Sequence, residues 1–136
     1  NYIENHLSVD SLETLKLKGY CLSNFKTTEN GFAYIVMKRD IIDSFKVSDE
    51  DAASQVSTIS TIEGCPVWAI FMDYPNEIRI RLRSRGPVIN LLAEEYNGGG
   101  HAKASGAKLQ NWFELDGFIT KADELVKEYK ATCKEI

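Results

Sequence analysis

Histidine is scarce: among 136 residues only His6 and His101 occur, far apart and with no Asp-His-His run. The clustered Asp and His ligands of a binuclear hydrolytic centre are therefore missing, and no serine or cysteine sits in a recognisable nucleophile motif. Cysteine is equally sparse. Cys21, Cys65 and Cys133 are odd in number and lack C-x-x-C spacing, which argues against a disulfide framework and a zinc site. They read as reduced thiols of a cytoplasmic protein. Positive charge is not in excess either, with 16 Lys and Arg against 20 Asp and Glu. A net charge of −4 does not suit a protein that coats nucleic acid, so any anion site must be local. No apolar run approaches the ~18 residues of a membrane span, no secretory leader is visible, and the start at Asn1 reads as a piece of a longer polypeptide.

What is present is a soluble globular composition, 43% hydrophobic and 26% charged, at the length of one domain. Ser8 and Asp10 are candidate caps for a helix over about Val9–Leu22, with Leu12, Leu15, Gly19 and Leu22 on one face; His6 reads as a solvent-exposed terminal residue. A hairpin is predicted over Phe25–Lys38, turning at Asn30-Gly31, with the apolar Phe32–Met37 as a central strand. Asp40 heads a short helical turn, and Ser48 caps a longer helix that ends at Gly64. Val67–Met72 is a second buried strand. In Glu77–Arg85, Ile78, Ile80 and Leu82 alternate with Arg79, Arg81 and Arg83, a strand with one core face and one solvated face. Pro87 opens a helix burying Val88, Leu91, Leu92 and Tyr96; Ala107–Leu109 returns to the sheet; Asp116 caps a last helix with Phe118, Ala122, Leu125, Val126, Tyr129 and Cys133 on its stripe. The pattern predicts an α/β fold, a mixed sheet of about five strands covered by helices.

Between the last two helices stands Gly98-Gly99-Gly100-His101-Ala102-Lys103-Ala104-Ser105-Gly106. Glycines without Cβ atoms let successive N–H groups surround an anion, with His101 as donor at the edge; a flexible surface turn is the other reading of the glycines alone.

This stretch resembles the GGGH-xx-AAG signature of the DHHA1 domain, the C-terminal half of DHH-family phosphoesterases, with Ser105 in place of the second alanine. Arg81-Leu82-Arg83-Ser84-Arg85 is similar to the SLRS segment upstream of it, with Arg81 where serine is usual. The likeness covers nearly the whole chain and is nearest to the bifunctional nanoRNase/pAp-phosphatase branch. It implies a single substrate-binding domain over residues 1–136, whose leading helix within 1–24 follows an interdomain linker, and a separate N-terminal DHH domain that carries manganese. It implies that Arg83, Ser84, Gly98, Gly99, Gly100 and His101 grip a terminal phosphate or nucleotide of short RNA or pAp, with no catalytic or metal-binding residue in this chain and none of its own cofactors. Gln55, Ser57 and Thr58 lie on a helix that can face the substrate cleft in that family. A homodimer is left open. Two alternatives stand beside this reading: an RNA-binding module like the C-terminal part of alanyl-tRNA synthetases, and part of a cyclic-dinucleotide phosphodiesterase.

Overall fold

A computed structural model of the chain describes residues 11–134. Its first helix, α1 (Leu12–Asn24), is capped by Ser11, whose hydroxyl oxygen accepts the Thr14 N–H at 3.1 Å. Ser8 and Asp10, the caps predicted, and His6 lie outside the described residues. Both stripes of α1 carry apolar side chains. The one turned inward holds Leu17 and Cys21, whose thiol pKa burial pushes up to about 12, while Leu12, Leu15 and Leu22 of the predicted stripe face outward.

The hairpin forms as predicted, β1 (Lys26–Thr27) against β2 (Phe32–Met37). Its turn is fastened by Asp123, which accepts hydrogen bonds from the Thr28 hydroxyl and from the backbone and side-chain N–H groups of Asn30. Helix α2 (Arg39–Ser44) has no cap from Asp40. The carboxylate of Asp73, remote in sequence, accepts the Arg39 N–H at 3.1 Å instead. Helix α3 (Asp49–Ala53) is capped by Ser48 as predicted, then tightens into a 3-10 turn over Ser54–Ile59.

Strands β3 (Val67–Tyr74) and β4 (Glu77–Ser84) pair antiparallel around Pro75-Asn76. Helix α4 (Asn90–Glu95) starts three residues after Pro87. That offset rotates its buried face to Ile89, Leu92 and Ala93 and leaves Val88 and Leu91 exposed, a correction to the predicted stripe. The glycine tract is strand β5 (Gly99–His101), paired with β6 (Ala104–Leu109). This hairpin makes the sheet six-stranded instead of about five, in the order β1-β2-β3-β4-β6-β5, with β2 and β3 its parallel pair. A 3-10 turn at Trp112–Glu114 leads into α5 (Leu115–Lys134), with Asp116 in its first turn.

Two cores sandwich the sheet. On one face Phe32, Phe71, Ile80, Leu82, Ala107 and Leu109 meet Leu92, Phe118, Ala122 and Val126, so α4 and α5 cover β2, β3, β4 and β6. Phe118 is its hub, edge-on to Phe71 at 5.5 Å and to Tyr96 at 4.9 Å, contacts worth about 0.5–1.5 kcal/mol each beyond area burial. On the other face Ala33, Ile35 and Met37 of β2 and Trp68, Ile70 and Met72 of β3 pack under α1, α2, α3 and the 3-10 turn. No buried residue of β4, β5 or β6 joins that second core. Half of one sheet face thus lies beyond its helices, and this half carries the candidate site.

Candidate functional site

Register assembles the site. Arg83 on β4 pairs with Ala104 on β6, and Ala104 with His101 on β5, so Arg83 and His101, distant in sequence, share one row across the sheet. Directly paired residues of antiparallel strands share a face. The row therefore spans the half-face that the helices leave open, with alanine between the two candidate side chains. Arg81, Gly106 and Gly99 form the next row.

Arg83 is half-buried, and its guanidinium donates to the carbonyls of Leu82 at 2.9 Å and Ser105 at 3.3 Å. No carboxylate faces it among the ion pairs of the described residues. Burial, and then the like charge of Arg81, push its pKa below the usual arginine value. A desolvated cation without a counterion is a binding-site signature, because an incoming anion relieves both penalties. Opposite Arg83 on β3 stands Trp68, whose Nε1–H is the buried side-chain donor left without an acceptor among the described residues.

The glycines divide by role. The tract forms an edge strand, not the concave anion nest expected from the sequence. A Cβ at Gly98 would stand 1.9 Å from the Gly106 carbonyl oxygen, and Gly100, at φ +143°, would place one 2.8 Å from the Ala104 oxygen. Both are required for β5 to lie against β6. Gly99 meets only the Glu94 Cγ at 3.9 Å, so packing does not demand glycine there. As an edge strand β5 has ladder partners on one side only, and part of its backbone N–H groups is left for another acceptor.

His101 is exposed, at the mouth of the Ala102-Lys103 turn. The turn is pinned by the Ser84 N–H to the Lys103 carbonyl, at 2.9 Å, and by the Ile89 N–H to the Ala102 carbonyl, at 3.0 Å. Ser105, where the family signature has alanine, donates its hydroxyl to the His101 carbonyl at 2.7 Å and steadies that residue's backbone. Ser84 is buried: its hydroxyl donates to the Pro87 carbonyl at 2.6 Å and accepts the Gly86 N–H at 3.0 Å. It sets the turn that supports the hairpin and has no hydroxyl lone proton to spare for a ligand. Arg85 spends its guanidinium on the carbonyls of Ser60, Ile62 and Cys65, holding the loop before β3. Gln55, Ser57 and Thr58 line a different depression, shared with Ser11, Thr14 and Lys18, and Gln55 accepts the Thr58 hydroxyl at 2.7 Å.

Sequence reasoning assigned Arg79 and Arg81 to a solvated face and passed over Lys108. The structure brings all three to a pocket of about 290 Å³, with Tyr74 and Gly106 also in its wall. Period-two alternation running from Ala104 through Gly106 to Lys108 is the signal that would have found Lys108. Among the described residues no group of three or more His, Cys, Asp or Glu is placed to hold a metal ion, so the donor set does not fit manganese. Nor is any helix among them long and apolar enough to cross a membrane.

The chain is thus a mixed α/β domain whose open half-face presents an arginine without a carboxylate partner, an exposed histidine and an edge strand of glycines. Residues 30–128 match the DHHA1 domain family, and the chain belongs to that family. It is 39% identical over 126 residues to the bifunctional oligoribonuclease and PAP phosphatase NrnA of Bacillus subtilis, an alignment that covers 93% of this chain and 40% of that protein. A solved exopolyphosphatase-related protein from Bacteroides fragilis superposes with a TM-score of 0.77 at 28% identity, over 88% of this chain and 37% of that one. The C-Ala domain of Aquifex aeolicus alanyl-tRNA synthetase, with a TM-score of 0.53 and 15% identity over 74% of this chain and 97% of that one, shares the fold. The chain spans about two fifths of the length of the curated relative, and the fold class expected from the sequence is the one observed.

Proposed function

We propose that this chain is the substrate-holding domain of a DHH-family hydrolase that cleaves short oligoribonucleotides and dephosphorylates pAp-like 3′,5′-bisphosphates. The observation that carries the reading is the register row of Arg83 and His101, with a desolvated guanidinium that has no carboxylate partner. The names of the relatives point to the same substrate class.

On this reading a terminal phosphate takes the Arg83 guanidinium, whose planar fork suits phosphate oxygens. Free N–H groups of β5 and the His101 ring complete its coordination from the edge of the sheet. Chemistry would belong to a DHH domain of the same polypeptide, whose residues would hold manganese for the hydrolysis. This domain contributes orientation: a substrate fixed at one end presents its scissile bond in one position, and such pre-organisation can remove several kcal/mol of barrier. Ser84 and Ser105 act through backbone, by fixing the turn and the His101 carbonyl.

Calorimetric titration of pAp into the chain tests the reading. Saturable binding is expected, weakened at least about ten-fold by Arg83→Ala or His101→Ala, each replacing a charge-assisted or polar contact of about 1.5–3 kcal/mol. Binding that survives the combined Arg83→Ala/His101→Ala variant, or saturable binding that never appears, contradicts it. Salt dependence separates this from an RNA-coating module: a pocket for one phosphate group gives a shallow slope, a broad basic face a steep one.

A further inference from the structure

Beyond the Arg83–His101 row the open half-face continues toward the other end of β4. Successive rows are two residues apart, about 6.7 Å along a strand, so Arg79 lies about 13 Å from Arg83. The pocket there combines two kinds of chemistry. Arg79, Arg81 and Lys108 give it a cationic rim. Arg79 also sits over the Tyr74 ring at 4.2 Å, with Arg39 approaching the same ring at 5.7 Å. Tyr74 thus props the Arg79 guanidinium, whose plane is a surface on which a base of any identity stacks.

Two acids stand nearby, Glu50, which is exposed, and Glu77, which is partly buried. Arg79 pairs with Glu77 at 2.6 Å, Lys108 reaches the same carboxylate at 3.9 Å, and Arg81 pairs with Glu50 at 3.0 Å. Such solvent-exposed pairs are weak and give way to a better anion. Apolar lining from Met72 and Ala53, beside this rim, suits the body of a nucleobase.

We infer that this pocket is a second-nucleotide subsite: it takes the phosphate and base of the unit next to the one held by Arg83 and His101. This rests on the holding role proposed above and adds a division to it. Phosphate recognition alone would need the rim, and base recognition alone the propped guanidinium; the pocket carries both, so it fits a whole nucleotide. A mononucleotide bisphosphate fills the first row only, whereas an oligonucleotide of two or more units fills both. The Arg79 pocket therefore selects for length, without reading sequence.

The test compares pAp with the dinucleotide pApA, titrated into the wild-type chain and into Arg79→Ala, Arg79→Lys and Arg79→Ala/Lys108→Ala variants. Both side chains are exposed, and a circular dichroism melt checks that each variant folds. Loss of one stacked base and one phosphate contact is expected to weaken pApA by about ten-fold or more in the double variant. Binding of pAp changes less than about two-fold. Arg79→Lys retains charge and loses the plane, so pApA binding falls there too. Equal weakening of both ligands overturns the inference, since the pocket would then serve the terminal nucleotide, and so does unchanged pApA binding. An Arg83→Ala control identifies the other failure: if neither ligand binds the wild type, or if Arg83→Ala leaves pAp binding intact, the holding role itself falls and this division with it.

Discussion

Two neighbouring strands on one sheet face meet opposite fates. Trp68, Ile70 and Met72 of β3 pair directly with Arg83, Arg81 and Arg79 of β4, so each buried apolar side chain has an arginine as its register partner. The first three lie in a core under α1, α2 and α3; the second three line the surface where that cover ends. On the opposite face no such step exists, because Val67, Ala69 and Phe71 of β3 continue into Leu82, Ile80 and Ile78 of β4 within one core. The boundary is thus a property of half a face. A strand covered on both sides reads as a continuous apolar run, one covered on a single side as alternation, and the change from Val67–Met72 to Glu77–Ser84 marks where a ligand can reach the sheet.

The sharpest way to break this contrast is to truncate register partners. Ile70→Ala removes a fully buried side chain and is expected to cost about 2–5 kcal/mol in urea unfolding. Arg81→Ala, one strand away, removes an exposed ion pair with Glu50 and should cost less than about 1 kcal/mol. Comparable losses at both positions would mean that the open half is a second core and not a binding surface.

A smaller effect separates the glycines. Gly100→Ala, at φ +143° and 2.8 Å from a backbone oxygen, should lower stability by about 1–3 kcal/mol. Gly99→Ala has room and should melt within a few degrees of the wild type, while a methyl group on the ligand side weakens pAp binding. If Gly99→Ala binds pAp as well as the wild type does, β5 takes no part in holding the phosphate.

Much of this was legible in the sequence, for identifiable reasons. Asn30-Gly31, the apolar run at Val67 and the alternation at Ile78 each report a local preference that tertiary packing did not overrule, and Phe118, Ala122 and Val126 form the core stripe expected of the last helix. Helix faces were less legible. On α1 two apolar stripes compete, and the choice of Leu17 and Cys21 depends on what lies beneath them. On α4 a start three residues later than Pro87 turns the face. Arg83 and His101 could be singled out from their motifs, but their common row arises only from the β4-β6-β5 order, which no local pattern encodes. Alternation along β4 sends Ser84, adjacent to Arg83, to the opposite face, where its hydroxyl ends in a turn, while the β4-β6 pairing brings Lys108, distant in sequence, to the pocket.

The most direct test of the central claim is a residue-resolved map of where the nucleotide lands. Amide chemical shifts of the isotope-labelled chain, followed during addition of pAp, are expected to move at Arg83, Gly99, Gly100 and His101 and to stay fixed at Ala33, Ile35 and Ile70 beneath the helices. Shifts concentrated around α1, α2 and α3, with the β4-β6-β5 half-face silent, would contradict the assignment of the open half of the sheet as the place where the substrate is held.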